Sequence, residues 1–387
     1  MPFKEQTMSD IRNQFVREAL AQKETKQVLC QRYGISRPTG DKWIKRYLQG
    51  EDLQGHSRRP HNIPRQTDIR MEESILALRT EHPALGAKKI RRILQDKGAS
   101  PPASSTINAI LKRNGCITLA ASQAATPYKR FQRATPNQLW QTDFKGHFPL
   151  NDATRCHPLT ILDDHSRYCL RLDAHPNEQL PGVWETFERA FRNYGLPDAI
   201  LCDNGNPWGT NYLQGYTQFE RLLLDLDIQP MHGRPHHPQT QGKTERFNQT
   251  LKREFLSTAS LMDLPDAQRQ FEPFRRFYNE ERPHHALGLA VPASRYAPSE
   301  RPFPERIEPW AYAEGLRVRS VKKTGYVYYR GKRYFLSRAF GNLMVALRPA
   351  VKREGCLEVL YRNWSVAVID VRTGEVTRRP RRVTDSC

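Results

Sequence analysis

The chain has 387 residues, 38% of them hydrophobic and 26% charged, and a net charge of +20. That length predicts two to four domains rather than one core. The lack of any run near the roughly 18 apolar residues of a membrane helix argues against a spanning segment, and the polar N-terminus against a secretory signal. Seven scattered cysteines (30, 116, 156, 169, 202, 356 and 387) with no C-x-x-C pair are expected to be reduced thiols, neither a zinc site nor a disulfide framework.

The charge is unevenly spread: +13 over residues 1–135, −4 over 136–300 and +11 over 301–387. Basic arms suit a polyanion, because each phosphate contact releases condensed counterions. An acidic centre would repel that polyanion unless cations sit in it.

Residues 1–54 read as a helix-turn-helix domain. Ile11, Phe15, Ala19 and Leu20 form one apolar stripe, a short helix over 26–33 runs into Gly34, and Ser36 opens a third helix with Trp43, Ile44, Tyr47 and Leu48 on one face. Gly34 supplies the left-handed turn. Arg37, Lys42 and Lys45 fall off the apolar face, where a recognition helix contacts DNA; a plain three-helix bundle with a charged face shows the same pattern. Residues 55–66 form a basic linker whose Arg58 and Arg59 suit a minor groove and equally suit plain solvation. A second helix-turn-helix domain is expected over 67–119. Ile90, Ile93 and Leu94 face its core and Lys88, Lys89, Arg91 and Arg92 face out, Ser104 or Ser105 caps its last helix, and a linker follows over 120–136.

The character changes at 137. Strand-like segments at 139–148, 158–163 and 168–174 precede an amphipathic helix over 178–194 and a further strand at 199–202, the opening of an RNase H-like fold. Asp143 falls within the first strand and Asp203 just after the fourth. Glu245 lies near the start of a helix whose buried stripe is Phe247, Leu251 and Phe255. At about 100° per residue it points away from that stripe. Each acid alone has a bland reading as a strand, turn or first-turn residue; the weight lies in their order. Three carboxylates brought together repel one another, and oxygen ligands suit Mg²⁺ or, as a substitute, Mn²⁺.

These motifs carry a resemblance. "WQTDFKG" around Asp143, "CDNGNPWG" around Asp203, "HHPQTQGKTERFNQTLKRE" around Glu245, "LTILDDHSRY" and "FYNEERPHHALG" resemble a bacterial insertion-sequence transposase with a retroviral-integrase-type (DDE) core. The resemblance implies a catalytic core over 137–298 that uses Asp143, Asp203 and Glu245 as catalytic and metal-binding residues, with two ions per site. One departure is the gap of 41 residues between Asp203 and Glu245, longer than is usual in the integrase relatives, which places extra chain in residues 208–228. Gln239, Gln241 and Lys243 are expected at DNA ends, and His236 and His237 fit phosphate contacts and a plain loop equally. Asp163 and Asp164 are read as organising a turn.

Residues 299–387 read as an SH3-like five-stranded β-barrel, with strands at 326–329, 332–336, 343–347, 357–361 and 366–371, and a flexible basic tail at 378–383. The expectation is therefore a multidomain protein: tandem all-α helix-turn-helix modules, an α/β RNase H-like core with a mixed sheet, and a C-terminal small β-barrel. Its partners would be double-stranded DNA, as element ends and target, and further copies of itself in at least a dimer. Its location would be the cytoplasm, on the nucleoid. The competing readings are a DNA-binding regulator with a vestigial core and a structure-selective nuclease.

Overall fold

The computed structural model describes residues 7–54, 67–117, 132–205, 207–209, 215–233, 242–350 and 353–383. The chain divides into two compact units between residues 66 and 67. The first holds α1 (Met8–Leu20), α2 (Lys26–Arg32) and α3 (Arg37–Leu48). Thr7 and Asp10 close a capping box at the start of α1, satisfying backbone donors the helix cannot. Gly34 turns the chain between α2 and α3 at φ 64°. Phe15, Val16, Ala19, Leu29, Cys30, Ile44 and Leu53 make the core.

Leu20, Tyr47 and Leu48, expected inside, are exposed. On α3 the inward line runs through Gly40 and Ile44 instead: a Cβ at Gly40 would lie 2.7 Å from Cys30 Sγ and 2.9 Å from Phe15 Cζ. Arg46 occupies the inward place near the end of α3, donating to Glu51 at 2.9 Å and to the Asp52 carbonyl at 2.7 Å.

The second unit opens with α4 (Ile69–Glu81), α5 (Ala87–Asp96) and α6 (Ser104–Arg113), packed around Ile75, Ile90, Ile93, Ile107 and Ile110. Ala103 occupies the cap position of α6, one residue before the serines expected there.

An α/β core follows: β1 (Trp140–Phe144), β2 (Phe148–Pro149), β3 (Arg155–Asp163), β4 (Cys169–His175), α7 (Leu180–Tyr194), β5 (Ala199–Cys202), α8 (Gln218–Asp225), β6 (Gln229–His232), α9 (Gly242–Leu251) and α10 (Leu264–Glu280). The sheet is mixed, as an RNase H-like fold requires. β4 pairs with β3 and β3 with β1 antiparallel, then β1 with β5 and β5 with β6 parallel, while β2 pairs with the start of β3. One layer joins Trp140 and Ile161 to Phe187, Phe191 and Phe219 from α7 and α8. The other joins Leu162 and Leu172 to Phe247, Phe271 and Tyr278 from α9 and α10. The helical bundle rests on α10: the His82 ring stacks on Phe277 at 3.8 Å and Lys97 pairs with Glu281 at 3.4 Å.

The C-terminal strands are β7 (Arg317–Ser320), β8 (Tyr326–Tyr329), β9 (Lys332–Phe335), β10 (Met344–Pro349), β11 (Cys356–Tyr361), β12 (Trp364–Asp370) and β13 (Val376–Arg382). All five expected strands are present, with β7 and β13 added. Among the described residues they form an open antiparallel sheet, β13-β12-β11-β10-β7, and a separate β8–β9 hairpin; the ladder does not close into a barrel. Sheet and hairpin share a core of Val327, Tyr334, Val345, Leu347, Val359 and Val366. The basic segment read as a flexible tail is mostly strand. β13 pairs with β12, and Arg378 donates to the carbonyls of Leu336 at 2.8 Å and Phe335 at 2.6 Å.

The long gap between the second and third acids is used here. Tyr216 and Leu224 enter the C-terminal core. The Tyr216 hydroxyl donates to the Val366 carbonyl at 2.6 Å, and Ser337 donates to the Tyr216 carbonyl at 2.6 Å. Asp225 accepts from Arg362 at 3.2 Å. No helix among the described residues is long and apolar enough to cross a membrane, and the six described cysteines are free.

Candidate active site

The parallel pairing of β1 with β5 sets Gln141 opposite Leu201. Asp143 and Asp203 each lie two residues further along, so the register carries both to the same level at the C-terminal ends of adjacent strands. Asp143 is half-buried and sits opposite Thr160 on the antiparallel side. Asp203 begins a tight turn in which the Gly205 amide donates to its Oδ1 at 2.9 Å. A Cβ at Gly205 would stand 3.3 Å from both carboxylate oxygens, so the bare backbone keeps that carboxylate unhindered. Glu245 lies in the first turn of α9, exposed, while Thr244 and Phe247 on either side of it face inward.

Electrostatics tie the three together. Burial, followed by the charges of Asp203, Glu245 and Glu178, pushes the Asp143 carboxyl up to about 7. Such a group resists ionisation until positive charge arrives. The donor set is all oxygen, the chemistry Mg²⁺ or Mn²⁺ prefers. Among the described residues no group of three acids, histidines or cysteines is drawn together tightly enough to hold an ion as it stands. The residue types and the raised Asp143 fit a divalent cation.

Three neighbours escaped the sequence reading. Asn248, three residues after Glu245 on α9, donates from Nδ2 to Asp143 Oδ2 at 3.0 Å. Its i+3 spacing from Glu245 was the available signal. Glu178, just before α7, adds charge near Asp143 and meets His157 Nδ1 at 2.9 Å. His232, at the end of β6, hydrogen-bonds the Asp203 carbonyl, and only the fold brings it there.

The expected DNA-contacting residues divide. Arg37, Lys42, Lys45 and Lys88 are exposed. Lys89 is not: it is 9% exposed. Burial, with Arg282 adding repulsion, lowers its pKa to about 8. Its place off the outer face of α5 corrects the expectation that it faces DNA, because α5 leans on the core at this point. Lys243 pairs with the buried carboxylate of Asp164. Asp164 also accepts from the Arg133 amide and from Gln141, each at 2.8 Å, while Asp163 accepts from Ser166 and the Asn137 amide. Asp163 organises the turn, as read, whereas the Asp164 carboxylate reaches out of it to Gln141 of β1, Lys243 of α9 and the Arg133 amide. Arg58, Arg59, Gln239, Gln241, His236 and His237 lie outside the described residues.

Behind the active-site helix, α9 runs on as one π-helical segment, Lys252–Leu256. Glu254 on that segment takes both Nε and Nη2 of Arg282 at 2.7 Å, with each side chain about 5% exposed or less. Burial would raise the Glu254 pKa, but the guanidinium outweighs it and holds the carboxyl below its ordinary range.

Comparisons with known proteins match most of the chain to domain families. Residues 133–238 match the integrase core domain, and 226–292 match a second model of the same description. Residues 12–61 match a helix-turn-helix domain and 39–111 a homeodomain-like domain. Residues 316–377 match the C-terminal domain of IS481 family transposases. The insertion element IS407 31.7 kDa protein of Burkholderia multivorans is 28% identical over 217 residues, 55% of this chain and 70% of that protein. The insertion element IS476 39.2 kDa protein of Xanthomonas euvesicatoria is 26% identical, and the match spans 56% of this chain and only 57% of the relative. The transposase of Tn552 from Staphylococcus aureus is 26% identical over 43% of this chain and 38% of its own. Among solved structures, the HTLV-2 integrase catalytic core domain in complex with magnesium is 17% identical with a TM-score of 0.34, spanning 42% of this chain and 99% of that one.

Proposed function

For a chain that carries an integrase core domain, helix-turn-helix modules and the C-terminal domain of IS481 family transposases, we propose a DNA transposase that binds the terminal inverted repeats of its element and cuts and joins DNA strands. The observation that carries this reading is the β1–β5 register, which brings Asp143 and Asp203 to the same level on adjacent strands, with the Asp143 carboxyl pushed up to about 7 by burial and then by the charges of Asp203, Glu245 and Glu178. Two divalent cations held by these carboxylates would supply activation of the attacking hydroxyl and stabilisation of the leaving oxygen. The chain's own part is placement. Asn248 orients the Asp143 carboxylate, the Gly205 amide orients that of Asp203, and Glu245 stands exposed in the first turn of α9. Both reactions are in-line phosphoryl transfers that need no covalent bond to the protein: water attacks a phosphodiester and a 3′-hydroxyl leaves, and that 3′-hydroxyl then attacks a second phosphodiester and displaces its 3′-oxygen.

The exposed cations Arg37, Lys42, Lys45 and Lys88 would hold the ends, whereas Lys243 is engaged by the buried Asp164. The C-terminal sheet and hairpin, which share one core, would hold flanking DNA or a second copy. Two ends handled together require a dimer or larger assembly on DNA, and the place of action would be the bacterial nucleoid.

The test is nicking and joining of duplexes bearing the element's end sequence, in Mg²⁺ or Mn²⁺. Asp143→Asn, Asp203→Ala and Glu245→Ala should each bring both steps to background while end binding persists, and chelation should do the same to the unaltered protein. Activity retained in any of these variants would remove that residue from the triad. End binding with no strand chemistry at saturating Mn²⁺ would make the protein a DNA-binding regulator.

A further inference from the structure

Asp203 leaves the sheet at the last residue before a turn, and a turn by itself holds a carboxylate loosely. Here the backbone is gripped from the side. His232 Nδ1 lies 2.9 Å from the Asp203 carbonyl oxygen, and its Nε2 lies 2.8 Å from Glu220 Oε1. Both ring nitrogens thus face acceptors, and the two side chains are only 11% and 10% exposed. The other oxygen of Glu220 accepts the Thr217 amide at 2.7 Å, inside the capping box of α8. That helix is seated by Phe219 and Leu223 in the buried core. A line of hydrogen bonds therefore runs from the start of α8 through Glu220 and His232 to the residue that carries the second acid.

Two more features keep the line in place. Asn204 donates to the Gly233 carbonyl at 3.1 Å, tying the same two loops a second time. Gly209 leaves room for the ring: a Cβ there would stand 2.9 Å from His232 Cε1 and 3.1 Å from Nδ1.

We propose that His232 and Glu220 are a positioning pair that aims the Asp203 carboxylate into the active site, His232 bridging the Asp203 carbonyl to Glu220. The inference rests on the reading of Asp203 as a site carboxylate. Groups of this kind, standing behind a ligand, typically carry about 10- to 100-fold in metal affinity or activity. Neither side chain touches the reacting atoms, so the effect is on geometry.

The full-length protein tests it through two substitutions of one residue. His232→Asn keeps a donor where Nδ1 stands, toward Asp203; His232→Gln keeps one where Nε2 stands, toward Glu220. Three quantities are measured: kcat and KM for nicking an end duplex, Mn²⁺ affinity of the DNA-free protein by calorimetric titration, and the thermal midpoint. The expected result for His232→Gln is kcat lower by about 10- to 100-fold with KM within about twofold, Mn²⁺ affinity lower by about tenfold, and an unchanged midpoint. His232→Asn should recover most of both losses.

Wild-type kcat and Mn²⁺ affinity in His232→Gln would overturn the inference. So would equal impairment of the two variants together with a lowered midpoint, the pattern of a merely structural residue. Asp203→Asn separates the two levels. If it is inactive while His232→Gln is fully active, only the positioning inference fails; if it is active, the reading of Asp203 fails and takes this inference with it. Should His232→Gln not fold, Gly209→Ala crowds the ring without removing it and should lower kcat by a similar factor; wild-type kcat there overturns the proposal.

Discussion

At the residue scale, the site depends on groups too small to attract notice. Gly205 is one. Its missing side chain leaves both oxygens of Asp203 open while its amide holds one of them. In Gly205→Ala the new methyl would sit 3.3 Å from each oxygen, tighter than a relaxed contact, so the carboxylate must turn. Misplacement of a reacting group by about 1 Å can cost on the order of 100-fold. The expected outcome is kcat lower by about one to two orders of magnitude with the urea midpoint nearly unmoved. Wild-type kcat in the variant would show that the contact is harmless. Asn248 teaches the same lesson. In the sequence it looks like part of a chance glycosylation triplet, and only the helix places its amide on Asp143.

At the scale of elements, two junctions govern the core. The first is the π-helical segment after α9, anchored by Glu254 to Arg282 just beyond α10. Removing one partner of a buried pair typically costs about 3–5 kcal/mol, because the other charge is left stranded. The Glu254 carboxyl is held below its ordinary value in the folded state, so its contribution is fully present above the unfolded pKa of 4.5 and lost as pH falls through the lowered folded value. Denaturant titrations should therefore show Glu254→Gln markedly less stable than the natural chain at pH 7, with the difference shrinking below about pH 4.5. A gap that stays constant down to pH 3 would assign the stabilisation to packing instead.

The second junction is the segment before α8, which docks the C-terminal sheet. Gly215 has a φ of 81°, and a Cβ there would meet the Leu336 carbonyl at 2.6 Å. Gly215→Ala should loosen that docking, seen as faster release of a C-terminal fragment under limited proteolysis. An unchanged digestion pattern would mean that the surrounding contacts absorb the methyl group.

For the whole molecule, charge and burial must be read together. The +20 excess predicts steep salt dependence of DNA binding, with each phosphate contact contributing about 0.9 to the logarithmic slope. Replacing the exposed Lys88 by alanine should reduce that slope by about 1 if it meets a phosphate. Lys89→Ala should leave the slope alone and lower stability, since its ammonium is turned into the body of the protein near Glu254 and Arg282. The reverse result, a slope change from Lys89 and none from Lys88, would mean that α5 presents a different face to DNA.

Much of the molecule was legible in the amino-acid order. Periodicity located the helices of both bundles and the strands of the core, because burial on one face imposes a repeat of 3.6 or 2. The motifs put Asp143 on β1, Asp203 just after β5 and Glu245 at the start of α9, the places where the structure has them. What local pattern cannot carry is the direction from which a neighbour arrives. Lys89 and Arg91 share a helix and a charge with Lys88, yet only docking on the core decides which of them is covered. Tyr47 and Leu48 look apolar enough to be buried, yet they are exposed, and Gly40 and Ile44 meet the core of the bundle. The sequence of β13 reads as a tail because its arginines hide an alternation that becomes visible once β12 lies beside it. The extra chain between Asp203 and Glu245 announced itself only as a length; tertiary contacts made it the seat of the C-terminal sheet and of the His232–Glu220 pair behind Asp203. Chemistry with a fixed order along the chain is written locally. Chemistry that depends on which surfaces meet is settled by packing, whose energy comes from residues far apart in sequence.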